Sequence, residues 1–139
     1  MQEDRLDYDA FFDVAIHRYT RAQALEDGVL VDVSELAREA GFKVPVALTG
    51  GAWDAAVAWT NADTSRQVAQ DEPGRLWDVL WAAYVSARGS PNSSRIAFQL
   101  CVVPRDGSST HPRLMTLHLQ IGAGDGGEPV ITVLMQHED

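Results

Sequence analysis

The sequence predicts an α+β protein in which a three-stranded antiparallel sheet, a C-terminal meander, packs against several N-terminal and central helices. Helical spacing of apolar residues dominates the chain up to about residue 88. Three β-rich runs follow, and the connections between them are turn-forming and show no helical pattern. With 139 residues and 45% hydrophobic content, the chain has the size of one ordinary domain, so we expect a single domain over residues 1–139.

Cap residues and helical spacing mark the N-terminal helices. In residues 5–18, apolar side chains recur at mostly helical spacing, which predicts a short amphipathic helix. Thr20 is typical of the N-cap of a second helix, which Gly28 ends. Ser34 is typical of the N-cap of a third helix, which Gly41 ends.

Two segments between these helices are predicted to be extended. The aliphatic and β-branched residues of 29–33 favour a short strand or an extended segment. Pro45 excludes a helix interior, so residues 42–48 are extended as well. Thr49 then caps a further helix over about 51–59. The predicted sheet contains neither extended segment.

The central part of the chain is predicted to be a long loop followed by the main core helix. Residues 60–74 are polar and rich in turn formers, which predicts the loop. In residues 75–88, apolar side chains recur at intervals of three and four residues, which predicts a helix. This helix should lie at the centre of the core. We interpret the four tryptophans as core packing between two helices, with an aromatic ligand groove or a partner anchor as the alternative. They are Trp53, Trp59, Trp77 and Trp81.

The three predicted strands cover residues 95–103, 114–121 and 130–135. Cys101 lies in an apolar run of the first of them, and we interpret it as a buried core residue. As the single cysteine of the chain it forms no internal disulfide, which favours a reducing cytoplasm. The acidic N-terminus is unlike a secretory signal, and no run approaches the roughly 20 apolar residues of a membrane helix.

Charge is the strongest global signal in the sequence. Twenty acidic residues against 11 Lys and Arg give a formal net charge of −9. The first 39 residues alone carry −6, from ten acids and four arginines. Such a chain repels nucleic acid phosphates. The acids either serve solubility or form a face that docks on a basic, nucleic-acid-binding surface of a partner.

No pattern in the sequence predicts a cofactor, a metal site or a catalytic residue. Glycines at 122–127 suggest a phosphate-binding loop, but a strand follows them instead of a helix, so we expect a hairpin loop. His118 and His137 could meet across neighbouring strands and, with Glu138, bind a metal, but a histidine on a solvated sheet face is commonplace. No G-x-S-x-G elbow occurs.

Several segments of the sequence resemble those of a known family. The segments are YTRAQALEDGVLVDV, SELAREAGFKVPVALT, VAWT, GRLWDVLW, VPRDG and GDGGEPVITV, within residues 19–135. The family consists of small uncharacterised proteins of phages, plasmids and other bacterial mobile elements, and it implies no enzyme activity. Residues 1–18 match nothing in this family and are interpreted as an atypical N-terminal extension. Small acidic proteins of such elements include anti-CRISPR and anti-restriction proteins.

The leading hypothesis is a non-catalytic acidic binding protein of a mobile element. It would act in the host cytoplasm as an anti-CRISPR or similar inhibitor, occupying a basic nucleic-acid-binding surface of a Cas protein or effector complex. The alternatives are an accessory protein that binds a host protein, and an unrecognised enzyme. We expect no direct binding of nucleic acid or membrane; a homodimer through a sheet edge remains open. The predicted partner-binding residues are all acidic: Asp7, Asp9, Asp13, Glu26, Asp27, Asp63, Asp71 and Glu72.

Overall fold

The computed structural model describes residues 19–138 as an α+β fold. The helices of this range are α1 (Arg21–Glu26), α2 (Ser34–Ala40), α3 (Gly50–Ala56), α4 (Asn61–Arg66) and α5 (Glu72–Arg88). Its strands are β1 (Leu30–Asp32), β2 (Val46–Thr49), β3 (Arg95–Val102), β4 (Arg113–Ala123) and β5 (Pro129–Met135). The helix predicted over residues 5–18 lies outside the described residues. From Tyr19 to Glu138, no helix has the length and apolar composition needed to cross a membrane.

The sheet is five-stranded and mixed, so the predicted three-stranded antiparallel sheet is wrong. Its strand order is β1-β2-β5-β4-β3. The meander of β3, β4 and β5 is present and antiparallel, but β2 adds to β5 in the parallel direction. Val46 lies opposite Ile131 and Leu48 opposite Val133 in that pair. Strand β1 then pairs with β2 in the antiparallel direction.

The sequence does not identify β2 as a strand of the sheet, because β2 is short and buried on both faces. Val46, Ala47 and Leu48 are all essentially inaccessible to solvent. Strands covered on both faces are continuously apolar and lack the alternation that marks a half-exposed strand. Pro45, which precedes β2, lacks an N–H, yet its carbonyl oxygen accepts a bond of 2.9 Å from the backbone N–H of Ile131. The extended segment therefore belongs to the sheet.

Helices cover the sheet on its two faces. Helices α2, α3 and α5 pack on one face and form the hydrophobic core with apolar residues of the strands. Helix α1 lies on the other face, where the guanidinium of Arg21 donates to Thr132 Oγ1 at 2.9 Å and to the carbonyl oxygen of Ile131 at 2.8 Å. This arrangement places α1 and α5 on opposite sides of the sheet.

The predicted loop over residues 60–74 is wrong, because its polar residues are helix caps. Thr60 and Asp63 form a capping box that starts α4. Asp71 caps α5 by accepting the N–H of Gly74 at 2.7 Å, so this helix begins at Glu72 instead of after Gly74. Ser, Thr, Asp and Asn favour both turns and N-caps, and their composition alone does not separate the two.

Cys101 is exposed, so the prediction of a buried cysteine is also wrong. Side chains of β3 alternate between the two faces, and Ile96, Phe98 and Val102 point into the core. Cys101 shares the opposite face with Gln99. The period of a strand, and not the apolar neighbours of the cysteine, decides its burial.

Candidate protein-binding surface

Helix α5 carries a stack of aromatic rings on its exposed side, here called the aromatic strip and made of Trp77, Trp81 and Tyr84. The rings of Trp77 and Trp81 lie 6.1 Å apart and 11° from parallel, and those of Trp81 and Tyr84 lie 5.9 Å apart. Trp77 is 37% exposed and Trp81 is 49% exposed. Two neighbouring tryptophans thus expose part of their apolar ring surface to solvent.

The register of α5 explains why these rings lie outside the core. Its buried stripe consists of Leu76, Val79, Leu80 and Ala83. Trp77 and Trp81 each follow a stripe residue, so they project about 100° away from it. The interpretation of the tryptophans as core residues is therefore wrong for these two. It holds for Trp59, which is 5% exposed.

Tyr84 is held in place by the residues that end α2. Its ring meets the ring of Phe42 edge-on, with centroids 5.4 Å apart. Gly41 has φ of 126°, and a Cβ at this position would lie 2.5 Å from Cζ of Tyr84. Only a residue without a side chain allows the tyrosine ring this close to the backbone.

An apolar groove of about 530 Å³ lies between α2 and the start of α5. Its apolar lining consists of Val31, Val33, Leu36, Trp53, Pro73 and Leu76. Three exposed carboxylates line it too, those of Asp32, Glu35 and Glu39. Glu35 and Glu39 are four residues apart on one face of α2, and no described residue forms a hydrogen bond or ion pair with either. The groove is apolar inside and acidic at its rim.

A second acidic region lies on the other side of the aromatic strip. Trp77 and Asp78 line a shallower cavity of about 330 Å³ together with Asp71 and Arg75. Asp78 is exposed and has no hydrogen-bond partner among residues 19–138. Around the axis of α5, Pro73 and Leu76 lie on one side of Trp77 and Asp78 lies on the other, so the groove and this cavity lie on either side of that ring.

The predicted acidic residues do not form one surface. Glu26 and Asp27 end α1 on one face of the sheet, whereas Asp71 and Glu72 begin α5 on the other. Three further predicted residues, Asp7, Asp9 and Asp13, lie outside the described residues. The eight-residue acidic set must therefore be divided.

Several of the predicted acids are already engaged in structural bonds. The carboxylate of Glu72 accepts the backbone N–H of Trp59 at 3.1 Å. Asp27 accepts the hydroxyl of Tyr19. Of the described members of the set, Glu26 alone has no side-chain hydrogen bond to residues 19–138.

Asp63 is not available as a surface acid. Its side chain is almost fully buried, and its carboxylate accepts the backbone N–H of Thr60 at 2.8 Å and the Nε–H of Arg105 at 2.6 Å. Burial acts to raise the pKa of Asp63, but the bonds from Thr60 and Arg105 outweigh it and leave the pKa below its ordinary value. Its role is structural, so it leaves the predicted set.

His118 and Glu138, two members of the metal site considered above, have structural roles, whereas His137 is exposed and its side chain forms no hydrogen bond to residues 19–138. Nδ1 of His118 accepts from Nε of Arg95 at 2.9 Å. Glu138, the predicted companion of the histidines, accepts the hydroxyl of Thr49 at 2.8 Å. Among residues 19–138, no group of three His, Cys, Asp or Glu side chains is arranged to hold a metal ion.

The glycine-rich segment joins β4 to β5 as a hairpin connection. The carboxylate of Asp125 accepts the backbone N–H groups of Arg21 and Ala22 at 2.8 and 3.0 Å. These bonds lower the pKa of Asp125. The loop thus satisfies the first turn of α1, which is the role that a bound anion would play in a phosphate site.

Sequence reasoning missed the acids that flank the aromatic strip. Glu35, Glu39 and Asp78 contribute to the charge count, but the charge count does not distinguish them from other acids. The i, i+4 spacing of Glu35 and Glu39 was the available signal, because it places both on one side of a helix. Their closeness to the strip depends on the packing of α2 against α5, which the sequence does not show.

Residues 8–139 match the sequence profile of a protein family described as a family of unknown function, DUF6573. The matched range includes residues 8–18, part of the segment interpreted above as atypical. No curated protein and no solved structure matches the chain. Because the profile covers nearly all of the sequence, the chain belongs to this family.

Proposed function

We propose that this member of the DUF6573 family is a non-catalytic binding protein that docks on a basic surface of a protein partner. The observation that carries the proposal is the exposed aromatic strip of α5 with carboxylates on both sides. Glu35 and Glu39 form no ion pair within the described part of the chain, so their charges are open to a partner. Asp78 forms no ion pair there either, although Arg75 lines the same cavity.

The composition of this surface matches that of protein interfaces. Trp and Tyr are enriched among the residues that dominate binding energy, and they are usually surrounded by a polar rim. Here the rim is acidic, so the complementary surface is basic. A net charge of −9 adds long-range attraction to such a partner and repels nucleic acid.

In its finer form, the proposal names a host defence protein, such as a Cas protein or a CRISPR effector complex, as the partner. The binding protein would occupy the nucleic-acid-binding surface of this partner in the bacterial cytoplasm. The support comes from the resemblance to proteins of mobile elements and from charge. Lys and Arg that bind phosphates are equally suited to bind a dense set of carboxylates.

The test is competition between this protein and DNA for purified Cas effector complexes. Fluorescently labelled target DNA is bound to each complex, and its displacement by increasing protein is followed at low and high salt. We expect displacement that weakens as salt rises, because screening shortens the range of the attraction. A complex that keeps its DNA at saturating protein and low salt contradicts the Cas assignment for that complex.

Two matched double variants locate the surface. Glu35→Gln with Glu39→Gln removes two charges beside the aromatic strip, and Glu26→Gln with Asp27→Asn removes two on the opposite face. The first pair should weaken displacement by at least about tenfold, which is the effect of losing one or two close charge pairs. The second pair should change displacement little. Equal effects of the two pairs would show that only net charge matters, and the proposed surface would be wrong.

A further inference from the structure

We infer that the aromatic strip binds arginine side chains, so the partner segment that docks here carries arginine in preference to lysine. This inference rests on the proposed function and names the chemistry of the partner. It comes from two contacts within this protein in which a guanidinium group lies over an aromatic ring.

At its Tyr84 end, the strip already contacts a guanidinium of the chain itself. The guanidinium carbon of Arg88 lies 5.8 Å from the centroid of the Tyr84 ring. It continues the series of stacked groups, whose ring centroids are 6.1 and 5.9 Å apart. A second arginine, Arg75, lies 4.5 Å from the centroid of Trp59 inside the protein. The Tyr84 end of the strip is thus occupied by a guanidinium of the chain itself.

The Trp77 end of the strip is open. Trp81 is stacked between Trp77 and Tyr84, whereas Trp77 stacks on Trp81 alone and is 37% exposed, and tryptophan is the best aromatic partner for a cation. Asp78 lies beside Trp77 along the helix, and the glutamates of α2 line the groove on the other side. A cation on the strip would therefore meet a ring face and carboxylates together.

Arginine fits this combination better than lysine. A guanidinium is planar, so it stacks on a ring through its face while the N–H groups on its edge remain free to bind carboxylates in a fork. It is also more weakly hydrated than an ammonium group and loses less on leaving water. The ammonium group of a lysine would pair with the carboxylates, but it is not planar and would gain little from stacking on the rings.

The neighbouring groove indicates what else the partner segment carries. With about 530 Å³ and an apolar lining, it can accept one or two apolar side chains. The occupant is therefore a segment of a basic protein in which arginines accompany an apolar anchor. Arginines would contact the strip while the anchor enters the groove.

The test compares two labelled peptides that differ only in their basic residues. One combines several arginines with a central leucine, and the other has lysine at every arginine position. Fluorescence anisotropy at low salt should show about fivefold tighter binding of the arginine peptide, the size of one exposed cation–π contact. Titration of the unmodified protein followed by NMR should shift the indole N–H signals of Trp77 and Trp81 more than that of the buried Trp59.

Variants separate the ring contribution from the charge contribution. Trp77→Leu with Trp81→Leu should reduce binding of the arginine peptide to the level of the lysine peptide. Tyr19→Leu is the matched control, because Tyr19 is 51% exposed at the start of α1, away from the strip. Circular dichroism and the thermal midpoint show whether each variant is folded, and the NMR titration needs no variant.

Each outcome separates this inference from the proposed function. Equal affinity for the two peptides, lost on Glu35→Gln with Glu39→Gln, overturns the preference for arginine and leaves the acidic docking surface in place. Binding of neither peptide at low salt overturns both. Arginine-selective binding that survives Trp77→Leu with Trp81→Leu overturns the role of the rings.

Discussion

Nε of Arg105 donates to a carboxylate oxygen of Asp63 across 2.6 Å and joins α4 to the segment that follows β3. This is the single ion pair within residues 19–138. The same carboxylate oxygen accepts the hydroxyl of Thr60 at 2.9 Å and its backbone N–H at 2.8 Å. One buried acid thus both caps a helix and connects it to the end of a strand.

We expect Asp63 to make stability depend on pH. The pKa of Asp63 is lowered below its ordinary value of 3.8, so the folded state binds this proton less readily than the unfolded chain. Its contribution to the free energy of unfolding is complete well above 3.8 and is lost as the pH falls through the lower folded value. Asp63→Asn should therefore lower the thermal midpoint by several degrees at neutral pH and by much less in acid.

Thermal unfolding near neutral pH and in strong acid measures this difference. Asp54→Asn is the matched control, because Asp54 is exposed on α3 and has no hydrogen-bond partner among the described residues. The control should match the unmodified protein under both conditions. A constant stability difference between Asp63→Asn and the unmodified protein across this range would contradict the assigned pKa.

Gly41→Ala should destabilise the protein through two separate effects. The φ of 126° is unfavourable for any residue with a side chain, which costs about 1 kcal/mol or more. The new Cβ would also lie 2.5 Å from the ring of Tyr84 and force it to move. We expect a total loss of about 1–3 kcal/mol in the free energy of unfolding, together with a changed near-UV circular dichroism of the stacked rings.

Gly28→Ala separates the two effects of this substitution. Gly28 has φ of 77°, and nothing lies within 4 Å of a Cβ built there. This variant should therefore show the backbone cost alone, with unchanged near-UV circular dichroism. Equal losses and equal spectra for the two variants would show that Tyr84 does not depend on the glycine.

The parts of the fold that follow from local pattern were predictable, and the parts that depend on distant pairing were not. Helix α5 repeats apolar side chains at helical spacing, and the meander of β3 to β5 follows from short runs with turns between them. The parallel pairing of Val46 with Ile131 joins segments from opposite ends of the chain, and no local feature of either one specifies it. For this reason the predicted sheet lacks two strands.

The candidate surface was predictable in its chemistry but not in its location. Net charge directs attention to acids, but only the fold shows that Asp63 is buried against Arg105 and that Glu35 lies at an apolar groove. Trp77 and Trp81 are four residues apart, so they lie on one side of α5, where they stack. Their exposure depends on which side of α5 faces the sheet, and the buried stripe one residue earlier decides it.

Cys101 should react in the native protein. Its side chain is exposed on the outward face of β3, and it is the single cysteine of the chain. An aromatic disulfide reagent without denaturant should label one thiol per chain, measured by absorbance of the released thiolate. Cys101→Ser is the control and should release none. Labelling that needs denaturant would restore the interpretation of a buried cysteine.

Arg75 should be among the residues on which stability depends most. Arg75 is 5% exposed, and its guanidinium donates from Nε to the carbonyl oxygen of Val57 at 3.0 Å and from Nη1 to that of Val103 at 3.0 Å. Arg75→Met fills similar space but leaves both buried carbonyl groups without a donor. We expect a loss of about 2–4 kcal/mol in the free energy of unfolding, measured by urea denaturation.

Arg88→Met provides the matched control for this loss, since it removes an arginine from the exposed last turn of the same helix. It should change the free energy of unfolding by no more than about 0.5 kcal/mol. Arg75→Lys should fall between the two variants, because an ammonium group can donate to one carbonyl but cannot span both in the geometry of the planar fork. If Arg75→Met proves as stable as Arg88→Met, the buried carbonyl groups must have found other donors, and the guanidinium is not what joins α5 to the end of β3.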